Sequence, residues 1–248
     1  MLFSDPLIII AILSAFSLGG ILKGATGAGA PIITIPVIAA FYDVRVAVII
    51  MVIPNFLTNI GQLYQYRKTI LPKFFTVSFA LGGGVGAFFG TILLANLSIK
   101  ILTLSVAFIV LIYILLKLFV PTWKLSYKRA KKLVFLMGTG GGVLQGTAGL
   151  SAPISITFLN SMKLERNQFI PTISVYFGMM SIFQMPTLYY YNFLNTELII
   201  LSFISTFILM CFMPFGSWLA KSVSKESFDR ITLILLGFIA LRIIYLNF

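Results

Sequence analysis

The stretch that decides the fold is KGATGAGAP, Lys23–Pro31, which interrupts an apolar chain with glycines, a threonine and a lysine. It lies between LIIIAILSAFSLGGIL, residues 7–22, and IITIPVIAAF, residues 32–41. A similar interruption, QGTAGLSAP, occupies Gln145–Pro153. A pattern that occurs twice in such a chain requires a structural reason.

The composition is that of a membrane protein. Of the 248 residues, 59% are hydrophobic and 10% are charged, and the mean hydropathy is +1.05. Soluble domains are about a quarter charged. Apolar runs of roughly 17 to 25 residues recur along the chain, and each is about as long as a bilayer-crossing helix. We therefore predict an all-α polytopic membrane protein with almost nothing outside the lipid bilayer.

The net charge of +12 is spread over short loops between apolar runs, so it indicates membrane topology and no nucleic-acid partner. The chain has one cysteine, Cys211, and no histidine, which argues against a disulfide framework and a metal site. No Ser/His/Asp set and no pair of buried carboxylates is visible. We expect neither a cofactor nor an enzymatic activity.

The chain is an internal duplication. A shift of 122 positions superposes residues 19–32 on residues 141–154 with eight identities in fourteen positions. The identical pairs are Gly19/Gly141, Gly20/Gly142, Leu22/Leu144, Gly24/Gly146, Gly27/Gly149, Ala30/Ala152, Pro31/Pro153 and Ile32/Ile154. At the same shift Gln62 meets Gln184. Chance similarity between apolar segments does not align glycines and a proline in one register.

The duplication predicts two membrane repeats, residues 1–122 and 133–248, joined by a basic linker at 123–132. Each repeat would have about four full membrane helices and one short segment after its break, at 31–42 and 153–162. If the short segment counts as part of a crossing, each repeat crosses the membrane five times and nearly all basic loops lie on one side. If the short segment instead returns to the side that it came from, the basic loops are divided between the two sides. The first count obeys the positive-inside rule. It predicts inverted repeats in the cytoplasmic (inner) membrane, with a cytoplasmic linker and both termini outside.

The breaks are candidates for a substrate site. Non-helical backbone at membrane depth must be buried in protein or line a watery cavity. Pro31 and Pro153 suit the first turn of a helix, so the short segments would direct unpaired N–H groups and partial positive charge at that cavity. Hydroxyl donors would come from Thr26, Thr147 and Ser151. The alternative is that the glycines only allow close packing, as we expect of Gly82, Gly86 and Gly90.

Several polar residues interrupt the apolar segments. Lys23 follows sixteen residues of apolar helix and is equivalent to the neutral Gln145, so it is either a cation beside the anion site or a lysine that snorkels to the interface. Asn55, Asn59 and Gln62 share one helix face, and Ser181 and Gln184 are the thinner counterpart. These faces would line the pathway or join helices by hydrogen bonds. Asp43 and Glu165 precede helices and are predicted as N-terminal caps.

The two glycine-rich motifs also carry a family resemblance. GAGAPIITIP, Gly27–Pro36, and GLSAPISITF, Gly149–Phe158, together with DVRVAVIIMVIPNFLTNIGQLYQYRK at 43–68, resemble the TauE/SafE family, often called sulfite exporters. The resemblance covers essentially the whole chain. It implies transport of small anions, often sulfur-containing ones such as sulfite, thiosulfate or organosulfonates, across the cytoplasmic membrane.

We therefore predict a secondary transporter of a small sulfur-containing or organic anion, which works by alternating access around a midplane site between the breaks. The alternatives are an uncoupled anion channel or uniporter, a non-transporting membrane subunit, and a transporter of a neutral or cationic solute. The sequence leaves a homo-oligomer open. The candidate substrate-binding residues are Lys23, Gly24, Thr26, Gly27, Gly29, Pro31, Asn55, Asn59, Gln62, Gln145, Gly146, Thr147, Gly149, Ser151, Pro153 and Gln184.

Overall fold

The structure, a computed structural model, describes residues 6–119, 123–222 and 225–247. Within these ranges the chain is helical and contains no strand, as the sequence predicts. The ten α-helices of this part of the chain are α1 (Pro6–Thr26), α2 (Ala30–Phe41), α3 (Val44–Tyr66), α4 (Lys73–Asn96), α5 (Ile99–Phe119), α6 (Tyr127–Ala148), α7 (Ser155–Ser161), α8 (Arg166–Tyr190), α9 (Thr196–Ser222) and α10 (Lys225–Asn247).

Five of these helices, α1, α3, α4, α5 and α9, are long and apolar enough to cross a membrane. The other long helices, α6, α8 and α10, have 22, 25 and 23 residues, but each begins with charged or polar residues that lower its mean hydropathy. The short helices α2 and α7 have 12 and 7 residues. Both halves therefore follow the order long, short, long, long, long, and the prediction of a multi-pass membrane protein is confirmed.

The breaks are shorter than the sequence suggests. Helix α1 continues through Thr26 and α6 through Ala148, so the non-helical segments are only 27–29 and 149–154. The predicted linker at 123–132 is also too long, because α6 already begins at Tyr127 and its basic residues form the first turns. Lysine and arginine are good helix formers, and their charge does not end a helix.

Glycine ends the first helix of each half in the same way. Gly27 has φ 82° and Gly149 has φ 71°, a left-handed conformation that side chains disfavour. The N–H of Gly27 donates to the carbonyl of Lys23 at 2.7 Å, and the N–H of Gly149 donates to that of Gln145 at 2.8 Å. Both pairs are equivalent under the shift of 122 residues. These two caps support the predicted duplication.

The two prolines differ in their positions. Pro31 lies in the first turn of α2, after Gly29 with φ 103°, as predicted. Pro153 was predicted to begin α7, and this is wrong, because α7 begins at Ser155. The carbonyl of Ser151 instead accepts from the N–H groups of Ile154 and Ser155, at 3.1 and 2.8 Å, and closes a turn before the helix.

Glycines also fix the helix packing. Helix α4 packs against α6 through Gly82, Gly86 and Gly90 on one side and Gly138, Gly142 and Gly146 on the other. A Cβ at any of these glycines would collide with the backbone of the facing helix. Helix α1 packs against α9 in the same manner through Gly20, Gly24 and Gly216. The first helix of each half thus lies against the fourth helix of the other half.

Contacts gather the basic connections at one end of the bundle, which we call the basic end. There the N–H of Leu125 donates to the carbonyl of Ser161, and the hydroxyl of Thr69 donates to that of Asn167. The Phe75 ring, near the start of α4, stacks on that of Tyr127, the first residue of α6. The basic end therefore joins the α3–α4, α5–α6 and α7–α8 connections.

Arg45 holds the opposite end together. Its guanidinium donates to the carbonyls of Leu94, Ala95 and Leu97, which follow or end α4. The Asp43 carboxylate accepts from the N–H of Arg45 at 2.8 Å, so the predicted cap of α3 is confirmed. Glu165 occupies the corresponding position before α8, but its side chain makes no capping hydrogen bond.

Candidate functional site

The two breaks meet at one small cavity, which we call the break cavity. Gly29, Pro31 and Ile32 line it from the first half, and Gln145, Leu150, Ser151, Ala152, Ile156 and Phe177 line it from the second. Its volume is about 10 Å³, close to the minimum that admits one water molecule. The predicted meeting of the breaks therefore forms a single shared space between the two halves.

The break cavity has polar groups from both halves. The Oε1 atom of Gln145 is buried and has no hydrogen-bond partner, although the side chain lines the cavity. The hydroxyl of Ser155 donates to that of Ser151 at 2.9 Å. On the first half, α2 begins at Ala30 and presents the positive end of its helix dipole, although Pro31 has no N–H and the N–H of Ile32 donates to the carbonyl of Gly29 at 2.9 Å. A ligand there would meet an amide, a hydroxyl and a helix N-terminus.

Lys23 is buried beside this cavity. Its side chain is 1% exposed, and its Nζ donates to Oδ1 of Asn59 at 3.0 Å. The same Nζ lies 5.8 Å from the centroid of the Phe177 ring, which forms part of the cavity wall. The interpretation that Lys23 snorkels to the membrane interface is therefore wrong for the folded protein. Its acceptor is a neutral amide.

A chain of polar contacts leads from Lys23 into the second half. Nδ2 of Asn59 donates to Oδ1 of Asn55 at 3.0 Å, and Nδ2 of Asn55 lies 3.4 Å from the hydroxyl of Ser181. The Ser181 hydroxyl in turn donates to the carbonyl of Phe177 at 3.2 Å. The face predicted on α3 therefore contacts its counterpart on α8, and it joins the helices by hydrogen bonds there.

Further along the same interface, Gln62 on α3 and Ser174 on α8 each have a buried oxygen without a hydrogen-bond partner. Helices α3 and α8 are antiparallel, since Asn55 contacts Ser181 while Thr69 contacts Asn167. Gln62 lies seven residues from both Asn55 and Thr69, and Ser174 lies seven residues from both Ser181 and Asn167. The two are thus level. Oε1 of Gln62 and Oγ of Ser174 are both unpartnered, as is Nε2 of Gln184.

Other predicted site residues lie elsewhere. The hydroxyl of Thr147 donates to the carbonyl of Gly90 on α4 at 3.2 Å, and a Cβ at Gly146 would strike the carbonyl of Ala87 on α4. Gly24 packs in the same way against the carbonyl of Met213 on α9. For Gly24, Gly146 and Thr147 the packing alternative describes the contacts. The sequence placed them in the breaks, whereas α1 and α6 extend past the expected start of each break.

The remaining candidates lie close to the break cavity without lining it. The Thr26 hydroxyl donates to the carbonyls of Leu22 and Ala28 in its own segment. Gly27 and Gly149 shape the two helix ends, and a Cβ at either would meet an isoleucine, Ile170 and Ile35 respectively. Their role in the structure is conformational.

The sequence analysis missed three neighbours of the site. Phe177 lines the break cavity and lies under Lys23, and the duplication offered a signal because it is equivalent to Asn55. Ile156 also lines the cavity but looks like any other apolar residue. In the sequence, Arg166 looks like one of the basic residues that determine membrane topology. In the structure, its guanidinium donates to the carbonyl of Gly24 at 3.0 Å.

None of the described residues that line the break cavity is acidic. Of the side chains that the structure describes, Asp43, Glu165 and Glu197 are acidic, and each lies at the start of a helix. The described residues contain no cluster of three or more His, Cys, Asp or Glu side chains that would hold a metal ion. The buried site thus combines an ammonium group, amides and hydroxyls, a set suited to an anion with hydrogen-bonding atoms.

Comparison with known proteins gives one match. The family model described as Sulfite exporter TauE/SafE matches residues 11–243, nearly the whole chain. No curated protein and no solved structure matches significantly. The matched range includes both breaks, Lys23 and the α3–α8 interface.

Proposed function

Since the chain belongs to the TauE/SafE family of sulfite exporters, a family of membrane transporters, we propose that it moves a small anion through the break cavity. The family supplies the class of activity and the anionic class of substrate. The break cavity, Lys23 and the start of α2 support the location that we propose for the site. The sulfur oxyanions and small organic anions are the compounds to test first.

The observation that carries this proposal is the environment of Lys23. A charge buried inside a membrane protein is unfavourable unless it is paired. Lys23 is 1% exposed and is hydrogen bonded to an amide, which cannot neutralise it. A bound anion would supply the missing negative charge. The protein then binds its substrate partly because the substrate completes a buried ion pair.

The N-terminus of α2 adds a second source of attraction. A helix N-terminus carries a partial positive charge and N–H groups that suit an anion. Gly29 and Pro31 at this terminus line the break cavity, opposite Gln145 and Ser151 of the other half. The cavity as described admits one water at most, so it must widen to admit an anion, which would then contact both halves at once.

A site between two halves suits alternating access. In transporters built from inverted repeats, substrate sites lie at the repeat interface and one bundle rocks against the other. The gathering of basic connections at one end supports five crossings per half, which is the count that makes the repeats inverted. By the positive-inside rule we assign the basic end to the cytoplasm and both termini to the outside of the cytoplasmic membrane.

The test is anion flux in proteoliposomes with the variant Lys23→Gln. Glutamine keeps a donor for Asn59 and removes the charge. We expect uptake of sulfite, thiosulfate or a small sulfonate to fall at least about tenfold, while Lys100→Gln, an exposed lysine changed in the same way, retains it. Parent-level flux through Lys23→Gln in correctly inserted protein would contradict the proposed site.

Ligand binding gives an independent readout. A ligand that binds only the folded protein raises its apparent stability. The transported anion should raise the unfolding temperature of the parent and of Lys100→Gln, and should leave that of Lys23→Gln unchanged. A neutral solute of similar size is the control, and a shift with that solute alone would favour a different substrate class.

The duplication also permits an exchange of charge. The variant Lys23→Gln/Gln145→Lys moves the lysine to the equivalent position of the second half, which lines the same cavity. We expect flux to return to within about tenfold of the parent. If the exchange restores nothing beyond Lys23→Gln alone, the two positions do not serve one ligand.

A further inference from the structure

A second and larger cavity lies between the first break and the basic end. Its volume is about 300 Å³, and we call it the vestibule. It extends from the end of α1, at Ala25, Thr26 and Ala28, to Lys117 near the end of α5, Arg166 at the start of α8 and Ala220 near the end of α9. It therefore connects the level of the break with the end of the bundle that carries the basic residues.

Two side chains are common to the vestibule and the break cavity. They are Ile32 on α2 and Ile156 on α7, and they line both spaces. They are 6% and 7% exposed. Each belongs to the short helix that follows a break, one from each half. The two cavities are thus neighbours with a partition of two isoleucines between them.

The walls of the vestibule differ from this partition in charge. Arg166 brings positive charge to the vestibule, and it is oriented by its bond to the carbonyl of Gly24. The hydroxyl of Ser217 donates to the same carbonyl at 2.9 Å. Positive walls concentrate anions in a cleft, whereas an apolar constriction excludes water and ions until it widens.

We propose that the vestibule is the access path to the break cavity from the basic end and that Ile32 and Ile156 form the gate on that side. This inference rests on the proposed function for its biological meaning. It deepens that function by assigning an anion-attracting waiting site at Arg166 and a closed apolar gate beyond it. In the described conformation the vestibule ends at the two isoleucines, which also line the break cavity.

Movement of either short helix opens such a gate. Helix α2 has 12 residues and α7 has 7. Both begin directly after a break, so neither is held at its N-terminal end by a preceding helix that runs into it. A shift of α2 relative to α7 separates the two isoleucines and joins the cavities. Because the gate residues come from different halves, rocking of one half against the other acts directly on them.

The test is cysteine accessibility, which does not depend on transport. In a Cys211→Ser background, single cysteines replace Ala220 at the mouth of the vestibule, Ala25 within it and Ala152 in the break cavity. A small anionic methanethiosulfonate is applied from the side where a cysteine at Lys68 reacts and one at Lys100 does not. We expect fast labelling at 220 and 25 and labelling at least about tenfold slower at 152.

The gate is tested by shortening its side chains. Ile156→Ala and Ile32→Ala should accelerate labelling at position 152 at least about tenfold without changing the rate at 220. Ile33→Ala is the matched control, since Ile33 is equally buried at 5% exposed and lines neither cavity. We expect it to leave the rate at 152 unchanged.

Three results would overturn the inference: absence of labelling at 25, equal rates at 25 and 152 in the background protein, or an equal effect of Ile33→Ala. The proposed function fails separately. If labelling follows the expected order while no anion moves in proteoliposomes, the access path stands and the transport proposal does not.

Discussion

At the scale of single residues, the unusual feature is an ammonium group with an amide for a partner. Lys23 donates to Asn59, Asn59 donates to Asn55, and Asn55 contacts Ser181 in the other half. The lysine thus has an amide oxygen as acceptor, and this chain of contacts contains no carboxylate. The arrangement holds the charge in place and leaves it electrically uncompensated.

This chain predicts a strong coupling between Lys23 and Asn59. The variant Asn59→Leu leaves the ammonium without its acceptor, and we expect a loss of about 3 to 5 kcal/mol in stability because an unpartnered buried charge remains. Adding Lys23→Met should recover most of the loss, since no charge is then left to solvate.

The measurement is the unfolding temperature of the four proteins of the double-mutant cycle in detergent. Thr58→Val is the control, because the Thr58 hydroxyl donates to the carbonyl of Pro54 in its own helix and should cost about 1 kcal/mol. Additive effects of Asn59→Leu and Lys23→Met would show that the two side chains do not depend on one another.

A second prediction concerns Thr147. Its hydroxyl contacts the backbone of α4 and not the break cavity, so Thr147→Val should lower stability by about 1 kcal/mol and leave the affinity for anions unchanged. Gln145→Leu, two residues earlier and on the cavity wall, should weaken anion binding instead. Thermal shifts with and without the anion separate the two effects, and a lost anion response in Thr147→Val would return that residue to the site.

The residue chemistry was predictable where the duplication gave a register. Gln145, Ser151, Gly29 and Pro31 line the break cavity, as their positions in the repeated motif suggest. Thr147 was misassigned because a hydroxyl in a glycine-rich stretch looks the same whether it faces a ligand or a neighbouring helix. Which face it presents depends on where the helix ends, and that required the left-handed cap at Gly149.

At the scale of elements, backbone contacts between helices dominate the packing. Glycine lets α4 approach α6 and α1 approach α9 so closely that no side chain fits between them. In lipid, such contact replaces the hydrophobic effect as the source of helix association. These two helix pairs form a frame around α3 and α8, which carry the polar side chains.

A comparison of two glycines tests this frame. Gly142→Ala places a methyl group against the carbonyl of Gly83 on α4, whereas Gly178→Ala on α8 meets nothing within 4 Å. We expect Gly142→Ala to destabilise the protein by about 1 to 3 kcal/mol through overpacking. Gly178→Ala should be neutral or stabilise by up to about 1 kcal/mol through helix propensity.

The test is to compare the apparent unfolding temperatures of Gly142→Ala and Gly178→Ala. Because both substitutions make the same chemical change inside a helix, their difference isolates the contact. Equal temperatures would mean that α4 and α6 separate at little cost.

The helices themselves were largely predictable from apolar run length, and the breaks from glycine and proline. The second break was the exception. Pro153 does not begin α7, because the carbonyl of Ser151 accepts from the N–H groups of Ile154 and Ser155 and forms a turn there. Helix α7 begins only at Ser155. The sequence also does not reveal that Ile32 and Ile156 line the same two cavities, because proximity of apolar residues of different halves has no local pattern.

At the scale of the whole molecule, the two halves are interleaved. The first helix of each half packs against the fourth helix of the other, and α3 packs against α8 between them. Neither half can therefore bury its glycine faces alone. The two halves are repeats in the sequence, but neither is expected to be stable by itself.

This arrangement predicts the behaviour of a divided protein. Residues 1–122 and 123–248 expressed as separate chains should each be degraded when alone and should copurify when produced together, since the α1–α9 and α4–α6 contacts both join the chains. Affinity capture through a tag on one chain measures how much of the other chain copurifies. Gly142→Ala in the second chain should reduce recovery of the first, and stable accumulation of either half alone would contradict the interleaved description.

The interleaving also has a consequence in time. Asn59 follows Lys23 by 36 residues, whereas Arg166 and Ser217, which bond to the carbonyl of Gly24, follow it by 142 and 193 residues. At bacterial and eukaryotic synthesis rates the last of these partners leaves the ribosome about 10 to 40 s after α1. Lys23 therefore gains its acceptor early in synthesis, whereas α1 gains its contacts with α8 and α9 only near the end. The docking of α1 into the finished bundle is a late event of biogenesis, and we expect a translocon or insertase to keep α1 available until α9 arrives.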